Sequence, residues 1–270
     1  MDQTFSPSAR LGHSTNLVGA PSAWMASPGF NDRPVALHIW GVREMNPALF
    51  TMLDQAETLA EAGEPFWPIW CDVRHRPRAA RRRPGQRKRF RSSFLRLIQG
   101  WGFDSNGPEG AVLKGWVESR FGILPSFHKE IIPDTQGPVW QAYVAERMQS
   151  RFHDNAILVQ LDLLFEFCQW AVAVSPIRGK ASDALSRHQC GRPAWHSGTA
   201  KPPRVIRLNN LVSFSSDREV ADCFGDRIIT TRVPLAKVLF FPGLLPSPLL
   251  RGEREFLVLG GAFRVSIEDI

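Results

Sequence analysis

The run from Ala156 to Val174 is nearly apolar all round, so it reads as a helix buried on every side. Such a helix cannot lie on a surface, and the rest of the chain has to wrap it. With 270 residues, of which 43% are hydrophobic and 22% charged, there is enough chain to do so. Nowhere do about 18 apolar residues run uninterrupted, so no membrane span is expected. The N-terminus lacks the basic start and apolar centre of a signal peptide. Cys71, Cys168, Cys190 and Cys223 are scattered without CxxC spacing. Free thiols in a reducing cytoplasm fit that pattern, and no metal site is expected. His128 and His153 have no partner at ligand spacing and read as structural.

Helical signals fill the first two-thirds. Asn46-Pro47 opens a helix that runs to Gly63, Arg91 to Gly100 forms another, and Trp101 to Gly110 is a polar turn. Helices follow over Ala111 to Phe121 and Val139 to Gln149. Val35 to Gly41 is a short strand, the exception in this half. The pattern changes after Val174. Ser175 to Pro203 has no periodicity and reads as loop. Val205 to Phe214, Ile228 to Val233 and Val238 to Phe241 read as strands. Glu253 to Leu259 and Ala262 to Ile267 read as two more, joined by a hairpin at Gly260-Gly261. The expected fold is therefore α+β: a mostly helical part over residues 1–174, then a sheet-rich part over 175–270.

The formal charge of +7 is concentrated between Arg74 and Arg91. With Pro77, Pro84 and Gly85 as breakers and no aromatic residue set for base stacking, the run reads as a solvated linker. Its alternative is a polyanion-binding patch, which would make the chain a nucleic-acid-binding protein.

Two short pieces near the C-terminus carry chemistry. Ser213-Phe-Ser-Ser216 is a small-hydroxyl stretch leading into a short helix, which Asp217 can cap and Gly225 can end. Glu253-Arg-Glu255 opens an apolar strand, and period-two alternation puts both glutamates on one face. Two carboxylates so placed repel unless a cationic ligand or a developing positive charge sits between them.

Ser213-Phe-Ser215, Ala221 and Phe224, then Glu253-x-Glu255 before a strand, resemble the mono-ADP-ribosyltransferase core. A closer resemblance rests on Gly12 to Gly19, Val42 to Asn46, the long block Gly100 to Phe121, and Arg207-Leu-Asn-Asn-Leu211. These stretches are similar to the NAD-dependent dinitrogenase reductase ADP-ribosyltransferases, which inactivate nitrogenase by modifying one arginine of its iron protein. Residues 66–84 and about 176–203 are outside the resemblance, being rich in Arg, Pro and Trp.

The resemblance implies a set of roles. Glu255 matches the catalytic glutamate, which stabilises positive charge on the ribose as the nicotinamide bond breaks. Glu253 matches the acidic residue that orients the acceptor arginine and takes its proton. Ser213 matches the serine that holds the catalytic glutamate, and Phe224 the aromatic against the nicotinamide ring. Arg178-Gly179 matches the Arg-Gly whose guanidinium meets the NAD phosphates or ribose, with Arg207 as the second candidate. The loop from Gly243 to Gly252, with Leu249 and Leu250, is expected to meet the acceptor protein. Partners implied are dinitrogenase reductase and a PII signalling protein. The remaining alternative is an inactive core that binds the iron protein and transfers nothing.

Overall fold

A computed structural model describes residues 15–56, 58–59, 61–63, 94–174, 188–191, 204–222, 227–245 and 255–269. The Arg74–Arg91 run, Arg178, Gly179, Phe224, Gly225, Leu249, Leu250 and Glu253 lie outside the described residues. In chain order the helices are α1 (Ser22–Met25), α2 (Pro28–Asp32), α3 (Val42–Met45), α4 (Pro47–Asp54), α5 (Phe94–Phe103) and α6 (Pro108–Phe121). After the small hairpin β1 (Phe127–His128) and β2 (Glu130–Ile131) come α7 (Pro138–Gln149) and α8 (Asn155–Val174). The sheet strands are β3 (His188–Gly191), β4 (Arg204–Ser215), β5 (Arg227–Thr231), β6 (Val238–Phe240) and β7 (Glu255–Asp269), with α9 (Arg218–Asp222) after β4. Helices first and an antiparallel sheet last is the α+β arrangement the sequence leads one to expect.

Helix α8 is the interior element. By length and composition Asn155–Ala173 would cross a bilayer, but 72% of its apolar window is buried inside the fold. Three buried polar residues on it, Asp162, Glu166 and Gln169, fall at i, i+4 and i+7 and so share a stripe. Each is hydrogen-bonded, as most buried polar groups are. Asp162 accepts from Trp116 Nε1 at 2.7 Å and from Arg120 Nε at 2.8 Å and Nη2 at 2.9 Å. Glu166 accepts from the Ile39 backbone N–H at 2.6 Å and from Arg43 Nε at 2.5 Å. Gln169 Nε2 donates to Val238 O at 2.8 Å and Leu235 O at 3.2 Å, which pins the helix to β6.

The Glu166 bond explains one departure from expectation. Residues 34–39 form no strand. Leu37 and Ile39 are buried while His38 and Trp40 are not, so the alternation is real. The segment is extended, but Ile39 gives its N–H to a carboxylate rather than to a neighbouring strand. Helix α4 stops at Asp54, residues 59 and 61–63 are helical again up to Gly63, and α5 continues through Trp101 to Phe103. Within the stretch read as loop, His188–Gly191 is a strand, held by pairing with both β5 and β4.

Strand β7 organises the sheet. It pairs antiparallel with β4 along one edge and with β6 and then β5 along the other. Val258 therefore faces both Val212 and Val238, and Val265 faces both Arg204 and Thr231. Gln189 of β3 faces both Thr230 and Ser215, so β4, β7, β5 and β3 form a closed circuit. The hairpin expected at Gly260-Gly261 does not exist: β7 runs straight through both glycines. Leu208 pairs with Gly261 and Leu211 with Leu259, so Asn209 and Asn210 together oppose Gly260, a β-bulge. A Cβ on Gly260 would lie 1.5 Å from the Asn209 carbonyl oxygen. Gly261 has φ +113°, and a Cβ there would meet the Ala26 carbonyl oxygen at 2.6 Å. That approach lets Ala262 N–H donate to Ala26 O at 2.7 Å, while Asn31 Nδ2 donates to Ala262 O at 3.0 Å. The glycines are thus spacers for close backbone contact rather than a turn.

One hydrophobic cluster joins Val18, Phe30 and Leu53, the inner faces of α5, α6 and α8, and the sheet residues Phe214, Phe240, Leu257 and Phe263. Lys237 is buried within it, its Nζ 4.6 Å from the Phe263 ring centroid, 5.4 Å from that of Phe30 and 3.4 Å from Gly260 O. Burial lowers its pKa from 10.5 to about 7.

Two outcomes follow from this geometry. Gly260→Ala forces β4 and β7 apart and should cost about 2 kcal/mol or more in denaturant unfolding. Unfolded Lys237 keeps its proton up to its ordinary pKa, whereas the folded chain sheds it near 7. The penalty for burying the charge is full below pH 7 and relieved as pH rises toward 10.5. Lys237→Met should therefore raise Tm most below pH 7, and the gain should shrink steadily toward pH 10. For a chain of this size each kcal/mol corresponds to about 2–4 °C.

Candidate active site

The β4–β7 register sets where the predicted residues meet. Ser215 lies directly opposite Glu255, and Ser213 opposite Leu257. Alternation puts Ser213, Ser215, Glu255 and Leu257 on one face. Ser213 and Glu255 are diagonal neighbours, roughly 7–8 Å apart between Cα atoms, so a third group can bridge them. That group is Trp101 of α5, only 4% exposed. Its Nε1–H lies 2.8 Å from Ser213 Oγ and 3.3 Å from Glu255 Oε1. Ser213 and Glu255 are themselves half-buried.

What brings α5 to this place is the bulge. Asn210 Nδ2 donates to the carbonyls of Lys114 at 2.9 Å and Ile123 at 3.0 Å, fastening α6 to β4. Asn209 receives the Ser126 N–H at 3.0 Å and donates to Phe127 O at 2.8 Å, fastening the β1–β2 hairpin. Helix α6 then carries α5 through a tight turn, where Asp104 Oδ1 accepts the Asn106 N–H at 2.8 Å and Pro108 starts the next helix. Sequence block 100–121 is therefore a helix–turn–helix that delivers one indole to the sheet.

Beside that indole sits a buried cation. Lys114 Nζ is 5.8 Å from the Trp101 ring centroid and within hydrogen-bond distance of Asn106 Oδ1 (3.2 Å), Phe127 O (3.1 Å) and His128 Nδ1 (3.2 Å). Burial pulls its pKa down to about 8, opposed by Asp104 and Glu146, so it stays mostly charged at neutral pH. His128 is held below its ordinary value, first by burial and then by Lys114, so it is neutral there.

Other site expectations are placed as follows. Ser215 Oγ accepts the Asp217 N–H at 3.0 Å, and Asp217 Oδ1 accepts the Glu219 N–H at 3.0 Å, so Asp217 does cap α9. Arg207 is exposed and opposes Ala262, beyond the bulge. Six positions along β4 separate it from Ser213, about 20 Å at the usual strand rise. The structure brings Ser213 and Glu255 together and leaves Arg207 at the other end of the strand. Glu253, Arg178, Gly179 and Phe224 are not among the described residues. Trp101 was not singled out by the sequence reading, which put it in a polar turn. Its signal was physical: a tryptophan adjoining an apolar helical face must find an acceptor for its N–H when buried. Among the described residues no cluster of three or more His, Cys, Asp or Glu side chains is placed to hold a metal ion.

The geometry thus sets a half-buried glutamate at the head of β7 beside a serine hydroxyl and an indole N–H. The chain belongs to the dinitrogenase reductase ADP-ribosyltransferases, whose family model (DRAT) matches residues 15–267. It is 50% identical over 261 residues to the NAD(+)–dinitrogen-reductase ADP-D-ribosyltransferase of Rhodospirillum rubrum, covering 94% of this chain and 95% of that one. No solved structure matches it.

Proposed function

We propose that this enzyme transfers ADP-ribose from NAD to an arginine of dinitrogenase reductase. The reading is supported by family membership and by 50% identity across nearly the whole of both chains. The observation that carries the chemistry is the Glu255 carboxylate at the head of β7, facing Ser213 and Trp101.

In the first step the bond between ribose C1′ and the nicotinamide nitrogen breaks. The electron pair leaves with nicotinamide, and positive charge remains on the ribose. Glu255 stabilises that charge where it develops and accepts a hydrogen bond from a ribose hydroxyl. A guanidinium is protonated at ordinary pH and is a poor nucleophile. In the second step a nitrogen of the acceptor arginine attacks C1′ and loses its proton to Glu253, two residues before Glu255. Arg178 and Gly179 hold the dinucleotide, and Phe224 covers the nicotinamide ring. Arg207, about 20 Å along β4 from Ser213, is the second candidate for that task.

Transfer of label from adenine-labelled NAD to purified dinitrogenase reductase tests the proposal. Glu255→Gln should lower transfer by at least about 10²-fold with the fold intact. Undiminished transfer by this variant would remove Glu255 from the mechanism, and absent transfer by the parent protein would remove the function. Glu253→Gln should lose transfer to arginine while retaining slow hydrolysis of NAD, because water needs no guanidinium-orienting carboxylate. Equal loss of both activities would assign Glu253 to the bond-breaking step instead.

A further inference from the structure

Trp101 belongs to none of the roles above, yet it is the side chain that connects Ser213 to Glu255. We propose that Trp101 is a positioning residue: its indole N–H, presented from α5, fixes the Glu255 carboxylate for the bond-breaking step. The proposal rests on the reading of Glu255 as the carboxylate that meets the ribose.

An indole N–H donates and never accepts or titrates. Placed 3.3 Å from Glu255 Oε1, it favours the ionised carboxylate and fixes the position of that oxygen. Placed 2.8 Å from Ser213 Oγ, it fills an acceptor site of that hydroxyl, so the hydroxyl proton is free to be donated onward. A single fixed proton therefore sets the hydrogen-bonding sense of both groups. The indole itself is well held. It is buried, it has only two side-chain torsions, and the Lys114 ammonium sits by its face, secured by Asn106, Phe127 O and His128. A cation at the ring face draws electron density from the indole and strengthens its N–H as a donor. The bulge at Asn209-Asn210 fixes the distance between α6 and β4, and hence the reach of Trp101 to the strand pair.

The test compares Trp101→Phe with the parent and with Glu255→Gln. Trp101→Phe keeps an aromatic ring and removes the donor. With the variant folded, kcat for transfer to dinitrogenase reductase should fall about 10- to 100-fold, the worth of a hydrogen bond to a charged group. The Kd for NAD should stay within about threefold, because uniform binding is untouched. The acid limb of the kcat profile should move up by about one pH unit, since the ionised carboxylate has lost its donor. An unmoved acid limb overturns the proposal, whether kcat is unchanged or falls only in step with a lower Tm and a smaller active fraction. If Trp101→Phe does not fold, the Trp101 indole N–H resonance of the parent decides. It should shift through a titration step that vanishes in Glu255→Gln, and absence of that step overturns the proposal. Glu255→Gln that still transfers removes the underlying mechanism instead, and so separates the two failures.

Discussion

The slip of one residue between β4 and β7 is the constraint on which the rest depends. Two asparagines oppose one glycine, and each asparagine side chain leaves the sheet to fasten a helix or hairpin. The bulge gives up a little pairing in the middle of the sheet and gains a fixed spacing between α6 and the strand pair. On the strand side of it lie Ser213 and Glu255, and on the helix side lies the indole that reaches them.

The helical layer meets the same problem of burying polar groups, with different solutions. Asp162 and Glu166 enter the core as acceptors for tryptophan, arginine and backbone donors. Lys114 is surrounded by oxygen and imidazole acceptors and keeps most of its charge. Lys237 has two aromatic faces and one long hydrogen bond, and its proton is held weakly. The difference in pKa between the two lysines follows from what surrounds each ammonium.

Much of this was legible in the residues. The buried helix, the start of α4 at Pro47, helices α6 and α7 apart from their first residues, and strands β4, β5 and β6 follow from periodicity and end signals. Ser213 and Glu255 follow from motif, and the register makes them diagonal neighbours on one face. The misreadings share a cause. Gly260-Gly261 has the composition of a turn, but its glycines are there because Asn209 and Ala26 press against them, contacts from about fifty and over two hundred residues away. Val35 to Gly41 alternates like a strand, but its ladder partner is a glutamate on α8. Trp101 lacks any local pattern that reports a serine and a glutamate over a hundred residues downstream. Local rules carry periodicity well and long-range contact poorly.

The bond between Ala26 and Ala262 also bears on how the chain is made. A ribosome releases the N-terminal helices long before β4, β6 and β7 exist, yet those strands complete the same hydrophobic cluster. Until the final stretch emerges, Gln169 has no Val238 carbonyl to meet and Phe30 has no Phe263. The early two-thirds must wait with apolar faces open, a delay during which such surfaces invite chaperones or aggregation. Closure is then a late event, and the Glu255 carboxylate reaches Trp101 in the same act that seals the core.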